Sequence, residues 1–129
     1  MFRFHKTTPV LSLFHAPQSA ASNAALKVLQ EAKAAAESTN EGAPAFELNV
    51  VEESPTETQL KIMMQAVGKG HETALVDGAT SAEEAVRVLG SRPDKFKRPV
   101  LVDWDNGKVV AGGNTSALQA LVDGLTRAR

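Results

Sequence analysis

The sequence predicts an α/β fold with the element order βαβα(α)ββα, and three features carry that prediction. An apolar run from Val10 to Phe14 breaks at Pro17 and gives way to an alanine-rich helical pattern. Ser54-Pro55-Thr56-Glu57 and Ser81-Ala82-Glu83-Glu84 both read as helix starts with capping boxes. Asn106-Gly107 between two apolar runs is the strongest short-range hairpin signal a sequence offers. At 129 residues and 43% hydrophobic content, the chain is sized for one domain, 1–129, with a core of its own.

Residues 1–8 read as a loose arm or a short edge strand, and Pro9 opens the first strand, expected over about 9–15. Pro17 ends it. From Ser19 to about Ser38, Ala, Leu, Lys, Gln and Glu dominate, and Ala25, Leu26, Leu29, Ala32 and Ala36 mark one helical face. Ser38 to Pro44 is a loop by composition, and Ala45 to Val51 alternates with Phe46, Leu48 and Val50 on one side. A second helix is expected from Ser54 as cap, with Pro55 in its first turn, Glu57 closing the box, and Leu60, Met63, Met64 and Val67 toward the core. Gly68 and Gly70 end it, and Lys69 to Thr73 is a polar connection. The helix begun at Ser81 carries Ala85, Val86 and Leu89 and is expected to stop at Gly90. Ser91 to Arg98 is basic and loop-like. Val100-Leu101-Val102 and Val109-Val110-Ala111 form the hairpin, and Asn114-Thr115 starts a last helix with Leu118, Leu121, Val122 and Leu125 at core spacing.

The totals exclude several classes of function. Net charge is −1, so nothing global points to nucleic acid. No apolar run reaches the roughly 18 residues of a membrane span. There is no cysteine, which removes disulfides, thiolate metal sites and any thiol redox step carried by these residues. Three histidines far apart in sequence, without acids at ligand spacing, give no support for a metal site, and His5 and His71 read as surface residues. Before Glu31 the chain has no acid, while Arg3, Lys6 and Lys27 are basic, a weak likeness to a mitochondrial presequence.

The candidate site is the first loop, His15-Ala16-Pro17-Gln18-Ser19. A helix beginning there leaves backbone N–H groups without intrahelical acceptors and sets partial positive charge beside His15 and Ser19. Two roles for Ser19 follow. It could be a nucleophile activated by His15, but no nearby acid orients the histidine, and serine at a helix start usually caps; the capping role is the expected one. Arg87, Arg92, Lys95, Lys97 and Arg98 could form an anion-binding rim, with a solvated loop preferred for all except Arg98. Trp104 is expected to pack partly on the sheet edge. Met63 and Met64 read as core and flank.

The order of elements, with Pro99 immediately before the strand that opens the hairpin, resembles the thioredoxin-like fold: a central mixed four-stranded sheet flanked by helices. There the equivalent proline is commonly cis and faces the first loop. Within that superfamily the chain resembles the arsenate-reductase-like branch, in the first loop His15-Ala16-Pro17-Gln18-Ser19-Ala20-Ala21-Ser22-Asn23, in Ser54-Pro55-Thr56 with Leu60, and in Arg98-Pro99-Val100-Leu101-Val102. Small size and Leu101-Val102-Asp103-Trp104 narrow the likeness to a fungal mitochondrial redox-protein family. This resemblance implies a mitochondrial location, with the cytoplasm as alternative, and a role in reducing small molecules. It puts Ser19 where the branch has its cysteine, keeps His15, Ser22 and Arg98, and sets Glu72 and Gly112 or Gly113 where the branch has its other arginines. A small anion such as glutathione is therefore expected to bind at Ser19, Ala20, Ala21, Ser22, Asn23 and Arg98, with no thiol chemistry by the chain. The alternative is a non-enzymatic module that holds a mitochondrial protein partner.

Overall fold

In the computed structural model, which describes residues 9–39, 46–112 and 114–127, four strands form one mixed sheet in the order β2-β1-β3-β4. The strands are β1 (Val10–Phe14), β2 (Glu47–Val51), β3 (Val100–Asp103) and β4 (Lys108–Ala111). β1 runs parallel to β2 and antiparallel to β3, and β3 and β4 form the antiparallel hairpin. The helices are α1 (Ala20–Thr39), α2 (Glu57–Val67), α3 (Ala82–Ser91) and α4 (Thr115–Arg127). The proposed arm at 1–8 and most of the loop at 38–44 lie outside the described residues.

Alternation along the strands divides the core in two, because successive side chains leave a strand on opposite faces. Leu11 and Leu13 of β1 and Leu101 of β3 pack with Ala25, Leu29 and Ala36 of α1 and Leu118 and Val122 of α4. Phe14, Val100 and Val102 face the other way, onto Leu60, Met63 and Met64 of α2 and Ala85 of α3. Both methionines are core residues. Among the described residues β2 is an edge strand with a neighbour on one side only: Phe46 just before it is buried, but Val50, expected inward, is 44% exposed.

Several element ends fall elsewhere than the sequence suggests. α2 is capped by Thr56, not Ser54. The Gln59 N–H donates to Thr56 Oγ1 at 3.1 Å and the Thr56 N–H donates to Gln59 Oε1 at 3.0 Å. That overlapping box is satisfied in both directions, and Glu57 is left free in the first turn, where it pairs with Lys61. Gly68, at φ 88°, ends α2 by donating its N–H to the Met64 carbonyl. Ser81 caps α3 as expected, but Glu84 reaches back to the Thr80 N–H and hydroxyl, both at 2.8 Å, and these bonds hold its carboxyl below the usual carboxylate range. α3 continues through Gly90 to Ser91 and closes on the Arg92 N–H, so glycine is tolerated in its last turn. The stretch after it is ordered by a 3₁₀ turn at Pro93–Lys95 and by a bridge between Val76 and Phe96.

The hairpin turn is tied down by a buried acid. Asp103, 1% exposed, accepts from the Asn106 N–H at 3.2 Å and from Asn106 Nδ2 at 2.8 Å, while Gly107 takes φ 65°. Trp104 lies partly buried against the α2–α3 face and donates Nε1–H to Ser12 Oγ at 2.8 Å, which satisfies a buried hydroxyl. Asn106→Asp keeps the shape but replaces a donor by a second carboxylate against Asp103. At pH 7 it should cost about 1–3 kcal/mol, read as a lower urea midpoint with Trp104 emission as the probe.

Candidate functional site

The site forms where β1 and β2 end together. The register pairs Phe14 with Val51, and the His15 N–H then donates to the Val51 carbonyl at 2.8 Å, so residues 15 and 52 leave the sheet side by side. From the other neighbour of β1, the Arg98–Pro99 peptide, which is cis, brings Arg98 to the same end just ahead of β3. A cleft of about 260 Å³ results, lined by His15, Ala16, Pro17, Gln18, Glu52 and Arg98.

The loop is held by its own polar groups. The Ser19 N–H donates to the Ala16 carbonyl, and Ser19 Oγ accepts the Ser22 N–H at 3.2 Å, so Ser19 is the N-cap of α1. Ser22 is fully buried; its Oγ accepts the Ala16 N–H at 2.9 Å and lies 2.6 Å from His15 Nδ1. Those are its two partners, so a satisfied hydroxyl hydrogen points to Nδ1 and the ring hydrogen is assigned to Nε2. Asn23 Nδ2 donates to the Pro17 carbonyl at 3.0 Å. His15 and Ser19 therefore do not form a pair: His15 is bound to Ser22, and no base among the described residues bonds to the Ser19 hydroxyl.

Of the residues expected to bind an anion, Arg98 alone lines the cleft. Ser19, Ser22 and Asn23 are engaged within the loop, because the short break between β1 and α1, residues 15–19, needs its buried N–H and C=O groups satisfied locally. The Ala20 and Ala21 amides have no acceptor among the described residues, but neither residue lines the cleft. Arg98 donates Nη2–H to the Glu52 carbonyl at 3.2 Å and lies 5.1 Å above the centroid of Phe96. Phe96 in turn meets Phe14 edge-on, centroids 5.4 Å apart. Arg98 Nε is buried without a partner, and burial pushes the guanidinium below its ordinary value. Since it is the one such buried atom among the described side chains, His15 Nε2 is not sealed off, although His15 as a whole is 5% exposed. That nitrogen has no protein partner among the described residues, and His15 is one of the residues that line the cleft.

The remaining basic residues do not form a rim. Arg92 pairs with Asp94 at 3.4 Å and Lys95 with Asp77 at 3.8 Å, and neither lines the cleft. Glu72 lines a separate cleft of about 440 Å³ between α2 and α3, beside Lys61, Lys69 and Glu83, with its carboxylate on the Gly70 N–H. Gly112 donates its N–H to the Pro99 carbonyl. The acid that does line the first-loop cleft is Glu52, which the sequence reading did not single out. Its signal was available: it follows β2 directly, and parallel neighbours end level. Ser22→Ala should cost about 1–3 kcal/mol by leaving the Ala16 N–H and His15 Nδ1 without their partner, and amide exchange should rise first at Ala16.

Comparison with known proteins agrees with this architecture. A family model described as a protein of unknown function, DUF1687, matches residues 2–113. A protein of the fission yeast Schizosaccharomyces pombe named "Putative redox protein fmp46, mitochondrial" is 43% identical over 81 residues, 63% of this chain and 67% of the relative. Arsenate reductase from Vibrio cholerae superposes with a TM-score of 0.62 at 18% identity, over 88% of this chain and 98% of that one. The fold is the thioredoxin-like one that arsenate reductase has.

Proposed function

This chain belongs to the DUF1687 family, and from that premise we propose that it keeps the scaffold of a mitochondrial redox family while using the first-loop cleft to bind a small anionic ligand, glutathione among the candidates, without thiol chemistry of its own. One observation carries the reading: His15, whose Nε2 has no partner among the described residues, and Arg98, whose guanidinium makes one hydrogen bond, to the Glu52 carbonyl, line one cleft at the head of α1. A fold whose relatives are named for redox work offers here a serine that caps, and a hydroxyl has no thiolate character near neutral pH and cannot exchange a disulfide. Arg98 and His15 Nε2 would hold the anion, with the Gln18 amide and the α1 dipole adding to the field. The mitochondrial location comes from the fission-yeast relative.

Backbone and side-chain NMR during a glutathione titration tests the reading. Shifts confined to 15–23 and Arg98 are the expected result, and their absence at millimolar ligand would refute it. A second reading, a module that holds a protein partner, draws on the exposed Val50 at the outer edge of the sheet. Line broadening along β2 on adding mitochondrial extract, with the cleft unmoved, would favour it.

A further inference from the structure

The first-loop cleft carries charges of both signs, and they are not paired with each other. Arg98 donates to the backbone carbonyl of Glu52, and the structure shows no ion pair between the two side chains; Glu52 is exposed, so its carboxylate is left available. The residues lining these roughly 260 Å³ therefore include one cation, Arg98, one acid, Glu52, and His15 with its ring hydrogen assigned to Nε2. A tetrahedral dianion set against Arg98 would meet a like charge at Glu52 and find no second cation to offset it. A ligand with a carboxylate and an ammonium on one carbon meets a complement at each end. The carboxylate matches the arginine fork and the imidazole donor, and the ammonium matches Glu52.

We propose that the cleft selects zwitterions of the α-amino-acid type, with the carboxylate on Arg98 and His15 Nε2 and the ammonium on Glu52. Free amino acids and the γ-glutamyl end of a small peptide share that chemistry. The proposal rests on the cleft being an anion site and specifies the class of ligand it takes. Three observations support it together: the level ends of β1 and β2 that set Glu52 beside His15, the buried His15 whose Nε2 has no partner among the described residues, and the guanidinium with a single hydrogen bond.

The test is an NMR titration of the full chain with glutamate, glutathione, N-acetylglycine, acetate and inorganic phosphate. Glutamate and glutathione should bind at least about tenfold more tightly than acetate, N-acetylglycine or phosphate. Glu52→Gln should erase that preference without weakening phosphate, and Arg98→Met should weaken every ligand. Glutathione binding far tighter than glutamate would assign the source to a peptide, and equal binding to the amino-acid end alone. If acetate, N-acetylglycine or phosphate binds as tightly as glutamate, the zwitterion proposal fails while the anion cleft stands. If none of the five shifts His15, Gln18 or Arg98, both fail.

Discussion

Phe14→Ala should cost about 3–5 kcal/mol, the largest loss from any single truncation considered for this chain. The ring is 1% exposed, sits in the sheet beside Val100 and packs against the α2–α3 core. It is also the floor beneath the site: Phe14 meets the Phe96 edge, and Phe96 carries Arg98 on its face. The truncation should therefore move two observables. The urea midpoint should drop, and under native conditions the Arg98 Nε–H resonance should shift as the aromatic stack loosens. Phe14→Leu retains most of the buried volume and should recover much of the stability without the edge-on contact, which separates packing from support of Arg98. An unchanged Arg98 signal in both variants would show that the stack does not position the guanidinium.

Ser19→Cys should have the largest functional effect. The new sulfur would occupy the N-cap of α1, where the Ser22 N–H and the helix dipole both favour the thiolate, so it should titrate below the ordinary value of about 8.5. Iodoacetamide should label the variant at neutral pH faster than it labels cysteine in an unstructured peptide. With oxidised glutathione the thiolate should attack one sulfur of the disulfide, releasing the other half as a thiolate and leaving a mixed disulfide on residue 19. The natural chain should do neither. If the natural chain reduces a small substrate with a thiol reductant as fast as the variant does, the inference from its missing cysteine is wrong.

Most of the fold was legible because its signals are local. Apolar runs bounded by turn residues marked β1 and the hairpin strands, the face of α1 read as Ala25, Leu26, Leu29, Ala32 and Ala36, and Asn106-Gly107 fixed the turn. What escaped depends on neighbours distant in sequence. Two capping boxes overlap at 54–59, and the choice between them rests on whether both reciprocal bonds close, which only the folded backbone shows. Leu75 and Val76 are fully buried, yet too short a run to read as a strand without Phe96 bridging from across the chain. Val50 fits the alternating pattern but belongs to an edge strand, which the pattern does not reveal.

The site was legible in place but not in wiring. Pro17 and Ser19 located the loop and the cap, and Arg98, beside Pro99, lines the same cleft. That His15 bonds to Ser22 rather than Ser19, and that Glu52 shares the cleft, follow from register and from side-chain reach across seven residues and across two strands. Neither is a property of the loop's own composition.

The Ser22 knot bears on how a ligand would be received. One buried hydroxyl fastens the imidazole and the Ala16 amide at once, and Asn23 fastens Pro17, so the receptor surface is already shaped when the ligand arrives. Little chain freedom would remain to be surrendered on docking, so little contact energy would go into ordering the loop, and association would proceed by rigid encounter without loop closure.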